Sequence, residues 1–191
     1  MHDIEPHYNW RSLYTAEEDA RSPFYGREYS EFEFGNHVYD HYIHPQWDEF
    51  GSQTLYLKLL YTDYHQGYCI IEMIGEWNDC LYNDIMVLKR EILEPLMDEG
   101  ISKFILVGEN VLNFHASDDL YYEEWSDDIS ADGGWIALVN FLDHVIRDMQ
   151  DANIDSYLVM GGNVNEIDWR TLHPSDFYKR VDKYVHRRLE A

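Results

Sequence analysis

From Thr54 onward, apolar and polar residues recur with regular periods. Thr54-Leu55-Tyr56-Leu57-Lys58-Leu59-Leu60-Tyr61 and Tyr68-Cys69-Ile70-Ile71-Glu72-Met73-Ile74 are two β-type runs. A polar stretch ending in Gly67 separates them, which predicts a β-hairpin. A helix opened by Asn83 or Asp84 follows, with Ile85, Leu88, Ile92 and Leu96 forming an apolar stripe, flanked by Met86, Leu93 and Met97 and closed by Gly100. Pro95 lies inside this pattern and predicts a bend or a shortened last turn, because it removes a backbone donor. Lys103-Phe104-Ile105-Leu106-Val107 is too short and too apolar for a surface helix and reads as a buried strand. The spacing of Trp135, Leu138, Val139, Leu142, Val145, Ile146 and Met149 predicts a second helix over 135–150, and Ser156-Tyr157-Leu158-Val159-Met160 reads as another buried strand stopped by Gly161-Gly162. A final helix starts near Pro174 and buries Phe177, Val181, Tyr184 and Val185. Strands that alternate with helices imply parallel pairing and right-handed crossovers, so the pattern predicts an α/β fold around a mixed sheet of about four strands, its first two forming the hairpin.

Residues 1–50 have no sustained period of either kind. They are rich in Tyr, Phe, Trp, His and acids, as in Glu5-Pro6-His7-Tyr8-Asn9-Trp10 and Phe24-Tyr25-Gly26-Arg27-Glu28-Tyr29. The chain therefore divides into an aromatic-rich acidic arm, 1–50, and an α/β domain, 51–191. So many aromatics imply that the arm packs on the body or on another subunit.

Charge narrows the partners. The 191 residues carry 37 Asp+Glu against 14 Lys+Arg, a formal net charge of −23. Phosphate backbones and anionic membrane surfaces both attract clustered Lys and Arg, so neither nucleic acid nor a membrane is expected as a partner. No apolar run approaches the ~20 residues that span a bilayer. The two cysteines, Cys69 and Cys80, form neither a disulfide framework nor a metal-like spacing, and no apolar leader is visible, which points to a reducing cytoplasm.

Several groups of residues carry candidate chemistry. His37, His41 and His44, with Asp40 and Asp48 close by, are candidate ligands for a divalent metal, although the aromatic and β-branched residues between them suit extended backbone, where positions i and i+4 lie far apart. After the 103–107 strand come Glu109, Asn110, Asn113, His115, Ser117, Asp118 and Asp119, in the position where open α/β sheets bind ligands. His115 is a candidate general base there, with Asp118 or Glu109, and Ser117 a candidate nucleophile or phosphate acceptor. The same Asn, Asp and Ser residues equally suit a turn and a helix cap. Gly161-Gly162-Asn163 lacks a P-loop lysine and reads as a strand-ending turn. Glu123-Glu124-Trp125-Ser126-Asp127-Asp128 reads as a solvated acidic face with Trp125 turned inward. The C-terminal helix carries Lys179, Arg180, Lys183, Arg187 and Arg188, a basic patch at the helix end where positive charge is favourable.

The order of hairpin, helix, strand, helix, strand and helix resembles the STAS domain of sulphate transporters and anti-sigma factor antagonists. Ile74-Gly75-Glu76-Trp77-Asn78-Asp79 is similar to that family's apolar-Gly-Glu-Leu-Asp turn into its first helix, and Phe104 to Asp118 to its strand and phosphorylation loop. The resemblance spans about residues 54–187 in element order. It implies a regulatory protein that binds another protein through the loop after the central strand. Antagonist-type members place Asp-Ser-Ser-Gly or Asp-Ser-Thr-Gly in that loop and are phosphorylated on the serine after the aspartate. Here the ungapped match is His115-Ala116-Ser117-Asp118, so Ser117 takes the acceptor role only if the loop shifts by one residue.

The sequence thus favours a cytoplasmic, non-enzymatic regulatory or scaffold protein that needs no cofactor. It would bind a protein partner through residues 109–119, with Trp77, Trp125 or Trp135 as anchors and the acidic face steering a basic partner. A homodimer is an expected form of self-association. The alternatives are a small hydrolase or transferase using His115 with nearby carboxylates, metal-assisted or not, and a ligand-binding module using a pocket between the arm and the strand ends.

Overall fold

The computed structural model describes residues 4–30 and 32–189, and among residues 188–189 the backbone alone. Its centre is a four-stranded mixed sheet in the order β3 (Leu55–Asp63), β4 (Tyr68–Asn78), β5 (Lys103–His115), β6 (Trp135–Val139). β3 and β4 pair antiparallel as the expected hairpin, while β4–β5 and β5–β6 pair parallel. A second, two-stranded sheet, β1 (His37–Val38) and β2 (His41–Tyr42), is an antiparallel hairpin in the arm.

Period-2 alternation along the strands divides the core into two layers. Leu55, Leu57, Leu59, Ile71, Met73, Phe104, Leu106, Ile136 and Leu138 face one layer. It is closed by the helical segment α2 (Asp84–Leu88), a π-helical turn (Lys89–Leu93) and α3 (Glu94–Asp98), and by α4 (Leu120–Ser130) and α5 (Asp143–Asp151). Ile70, Ile105, Val107, Ala137 and Val139 face the other, closed by α6 (Pro174–Leu189) through Phe177, Val181 and Val185, and by Trp10 and Trp169. Tyr184 lies at the margin of this layer and only partly buries. The arm packs on its own body: Ala16 and Phe24 enter the first layer, Trp10 stacks edge-on against Trp169 in the second, and Val38, Ile43 and Trp47 cover Tyr56 and Ile74.

Three expectations about the elements are corrected. The 135–150 stretch is a strand, Trp135–Val139, followed by the helix Asp143–Asp151, and the chain reverses between them at Asn140 with φ 55°. The 156–160 stretch is a short 3-10 turn at Ile154–Ser156 followed by a single parallel bridge, Ala137↔Val159, so the sheet stops at a rudimentary fifth strand. The 103–107 strand continues to His115, paired with β4 as far as Asn78↔His115. Pro95 is accommodated by the π-helical turn just before it, which widens the backbone where the proline ring would meet the preceding carbonyls.

Trp77 and Trp125 are fully buried and Trp135 nearly so, which removes all three as surface anchors. Trp125 points inward from the acidic face of α4, as its flanking acids imply. Among the described residues no helix is long and apolar enough to cross a membrane.

Candidate functional site

Strands β4 and β5 carry two polar clusters, one in the middle of the sheet and one at the C-terminal ends of the strands. In the middle, Arg170 bridges a carboxylate from each strand. Its Nη2 donates to Glu72 Oε1 at 2.9 Å and to Glu109 Oε2 at 2.7 Å. Glu72 Oε2 accepts from the backbone N–H of His7 at 2.7 Å, and Glu109 Oε1 accepts from Trp169 Nε1 at 2.7 Å and Asn140 Nδ2 at 3.1 Å. Burial raises the Glu72 pKa despite these donors, whereas at Glu109 the donors from Arg170, Asn140 and Trp169 outweigh burial and lower it. Every carboxylate oxygen in this cluster is thus engaged, and its product is a joint between arm, sheet and the 167–172 segment.

At the strand ends, Glu76 is the hub. Its Oε1 accepts from Asn78 Nδ2 at 3.2 Å and lies 3.5 Å from His115 Nε2, and its Oε2 accepts from the Tyr39 hydroxyl of the arm hairpin. Burial opposes its ionisation, but the bonds from Tyr39 and Asn78 and the His115 imidazole outweigh it and hold the carboxyl below the usual range. Gly75, one residue earlier, has φ 115° and lets this bend pass the Thr54 carbonyl, which a Cβ would meet at 2.1 Å.

Beneath the cluster, Asp79 organises the turn into the helices. Oδ1 accepts from Trp77 Nε1 at 2.9 Å and from the Ile85 N–H at 2.8 Å, and Oδ2 accepts from the Tyr122 hydroxyl at 2.6 Å. Burial raises its pKa to about 6 in spite of those donors. Asp84 Oδ2 accepts from the Asn78 N–H at 2.8 Å and closes the turn. The resulting surface bears α1 (Asp79–Tyr82), the 116–119 loop and the start of α4, and exposes Leu81 (72%), Leu120 (62%) and Tyr39 (65%).

The structure separates the residues that the sequence groups as one loop. Glu109, Asn110 and Asn113 are strand residues, and Glu109 is committed to Arg170. Glu109 and His115, six residues apart along one strand, are separated by roughly 20 Å. Asp118 accepts from the Leu120 N–H at 3.3 Å and Asp119 from the Tyr157 hydroxyl at 3.0 Å, while the carboxylate facing His115 is Glu76. Ser117 is exposed. The pairing of His115 with Asp118 or Glu109 proposed for a hydrolase is therefore not assembled.

His37, His41 and His44 do not converge. His37 pairs with Tyr42 and His41 with Val38 across the hairpin, whereas His44 lies 3.4 Å from Glu5. Among the described residues no group of three or more His, Cys, Asp or Glu side chains is placed to hold a metal. Beside the arm hairpin at the strand ends, an open hollow lined by His37, Tyr39, Asp40 and Tyr42 measures about 270 Å3, whereas the cavity between the arm and the middle of β3 measures about 10 Å3, room for a water and not for an organic ligand. Of the C-terminal basic residues, Lys179 pairs with Asp176 at 3.7 Å, and the side chain of Arg188 lies outside the described residues.

Glu76, Tyr39 and Asp79 are the site residues that sequence reasoning missed as chemistry. Glu76 and Asp79 stand inside the Gly75-Glu76-Trp77-Asn78-Asp79 segment, and a buried acid next to an obligatory glycine was the available signal. Tyr39 carries no such mark, because its partner lies 37 residues away.

No protein-family model matches the chain, and no curated protein does. Two solved structures are similar to it. The Bacillus cell fate determinant SpoIIAA in its phosphorylated form superposes with a TM-score of 0.42 at 12% identity, covering 65% of this chain and 98% of that one. The anti-sigma factor antagonist SpoIIAA in its unphosphorylated form gives 0.44 at 13% identity, covering 66% and 97%.

Proposed function

We propose that this protein is a non-enzymatic regulatory or scaffold protein, acting in a reducing cytoplasm, that binds a protein partner through the surface at the C-terminal ends of β4 and β5. The observation that carries the reading is the exposure of three large side chains, Leu81, Leu120 and Tyr39, around the Glu76–His115 pair. Exposed apolar groups rimmed by polar ones mark protein contact surfaces. The charged residues of the adjoining loop, Asp118 and Asp119, are acidic, so a partner presenting Lys or Arg is favoured in both encounter and register. Ser117 is exposed in the 116–119 loop, and adding a phosphate there would place about two further negative charges beside Asp118 and Asp119. The role is of the same kind as that for which SpoIIAA is named, and it rests on this chain's own surface.

The test is affinity capture from the native cell with wild-type protein and a Leu81→Asp/Leu120→Asp variant, with Leu13→Asp as a control at another exposed apolar position. The expected result is a partner retained by wild type and control and lost by the double variant. A partner set identical across the three proteins overturns the proposal.

A further inference from the structure

A different part of the molecule gathers buried polar atoms around a small cavity. Between residues 6–17 of the arm and strand β3 lies the small cavity of about 10 Å3, lined among others by His7, Thr15, Glu17 and Lys58. Each of these four contributes one buried polar atom without a hydrogen-bond partner in the protein: His7 Nε2, Thr15 Oγ1, Glu17 Oε2 and Lys58 Nζ. Such atoms are rare in folded proteins, and here four converge on one space. Lys58 is 6% exposed. Its Nζ lies 3.3 Å from Asp48 Oδ2, without hydrogen-bond geometry, and 3.7 Å from the centroid of the Tyr29 ring, which leaves N–H groups to direct elsewhere.

The chemistry of the four atoms selects the ligand. Lys58 is a donor and Glu17, when ionised, an acceptor. The His7 pKa is lowered to about 4, chiefly by burial and then by the Arg170 charge, so the ring is neutral near pH 7 and its Nε2 can accept. Thr15 completes the set as a hydroxyl able to donate or accept. A cation would meet the Lys58 ammonium and an anion the Glu17 carboxylate. The space is that of a single water, and a buried water makes about two to four hydrogen bonds.

We propose that the cavity between the arm and β3 is a binding site for one ordered water molecule, which accepts from Lys58 Nζ and Thr15 Oγ1 and donates to Glu17 Oε2 and His7 Nε2. The water fastens three positions of the arm to the sheet beside the direct bond in which the Tyr14 hydroxyl of the arm accepts from Thr62 Oγ1 of β3 at 3.2 Å. It continues a polar chain that runs through Lys58 to Asp48, which accepts from Arg27 Nη1 at 2.9 Å and from the Tyr29 hydroxyl at 2.6 Å. The arm is therefore held by apolar anchors, Trp10, Ala16 and Phe24, and by this solvent-mediated junction between them.

The test combines a high-resolution crystal structure of the full chain with water-to-protein cross-relaxation measured by NMR on the wild type, Thr15→Val and Lys58→Met. The expected result is one density peak of water strength within hydrogen-bond reach of about three of the four atoms, with cross-peaks from water to protons around Thr15. Thr15→Val should keep the arm docked, as read from the Trp10 and Trp169 indole signals, while weakening the water cross-peaks. Should Lys58→Met unfold the arm, Thr15→Val carries the test alone. An empty site with a docked arm, a peak with the scattering of an ion, or a direct Lys58–Glu17 bond that closes the space would each overturn the proposal.

Discussion

The same two strands carry acidic residues in two places, with opposite outcomes. In the middle of the sheet, Glu72 and Glu109 are bound by one guanidinium and a ring of N–H donors, and they join three parts of the chain. At the strand ends, Glu76 is bound by Tyr39 and Asn78 but also faces His115, whose side chain is half exposed, and the surface around it is apolar. The difference follows from pairing. β6 accompanies β5 only as far as Val107↔Val139, so beyond that point one side of β5 is open to the 140 and 167–172 segments, and Glu109 is taken up by them. His115 lies beyond these segments, where only β4 continues alongside. Position along the strand, more than residue type, decides whether a polar group serves the fold or the surface.

Removing the bridge in the middle should have the largest effect. Arg170→Met leaves the Glu72 carboxylate, 1% exposed, without its cation. Breaking a buried pair costs about 3–5 kcal/mol, and because Arg170 itself is partly exposed, a loss of about 2–4 kcal/mol in urea denaturation is expected. Glu109→Gln keeps the shape and should cost less, about 1–2 kcal/mol. If both variants were as stable as the wild type, the middle cluster would not be structural and the contrast would fail.

Asp79 sharpens the comparison through pH. Burial raises its folded pKa to about 6 from the ordinary aspartate value of 3.8, so its contribution to stability is complete below about pH 3.8 and is lost as pH rises through about 6. That elevation corresponds to about 3 kcal/mol. The wild type should therefore lose about 2–3 kcal/mol relative to Asp79→Asn between pH 4 and 8, read as the difference between their stability curves. Parallel curves would mean that Asp79 is not the buried acid that holds the floor of the strand-end surface.

The smallest stability effect belongs to the strand end itself. His115→Gln removes a half-exposed side chain whose Nε2 lies 3.5 Å from Glu76 Oε1, and thermal unfolding should shift by no more than the equivalent of about 0.5 kcal/mol. A loss comparable to Arg170→Met would assign His115 to the fold instead of the surface.

Much of this architecture is legible in the sequence, and the exceptions have physical causes. The hairpin over 55–78 is marked by two runs rich in aliphatic and aromatic residues around a polar turn, and the α6 helix from Pro174 carries an undisturbed period of 3.6. Trp135-Ile136-Ala137-Leu138-Val139 is buried on both faces, so it lacks alternation, and its join to the amphipathic Asp143–Asp151 helix mimics one long helical stripe. Asn140, which adopts φ 55°, was the one local mark of the break. The extension of β5 to His115 is invisible locally because Glu109 is polar for the sake of segments distant in the chain and Asn110 and Asn113 interrupt the apolar run. The Glu76 hub is hidden for the same reason: its partners come from the arm, from its own strand and from β5.

The most direct test is the affinity of a captured partner for wild-type protein and for Leu81→Asp/Leu120→Asp, measured by titration calorimetry beside matched thermal unfolding curves. The account predicts a loss of at least about tenfold, which is about 1.4 kcal/mol, with stability within about 0.5 kcal/mol of wild type. Undiminished affinity in a folded double variant would contradict it.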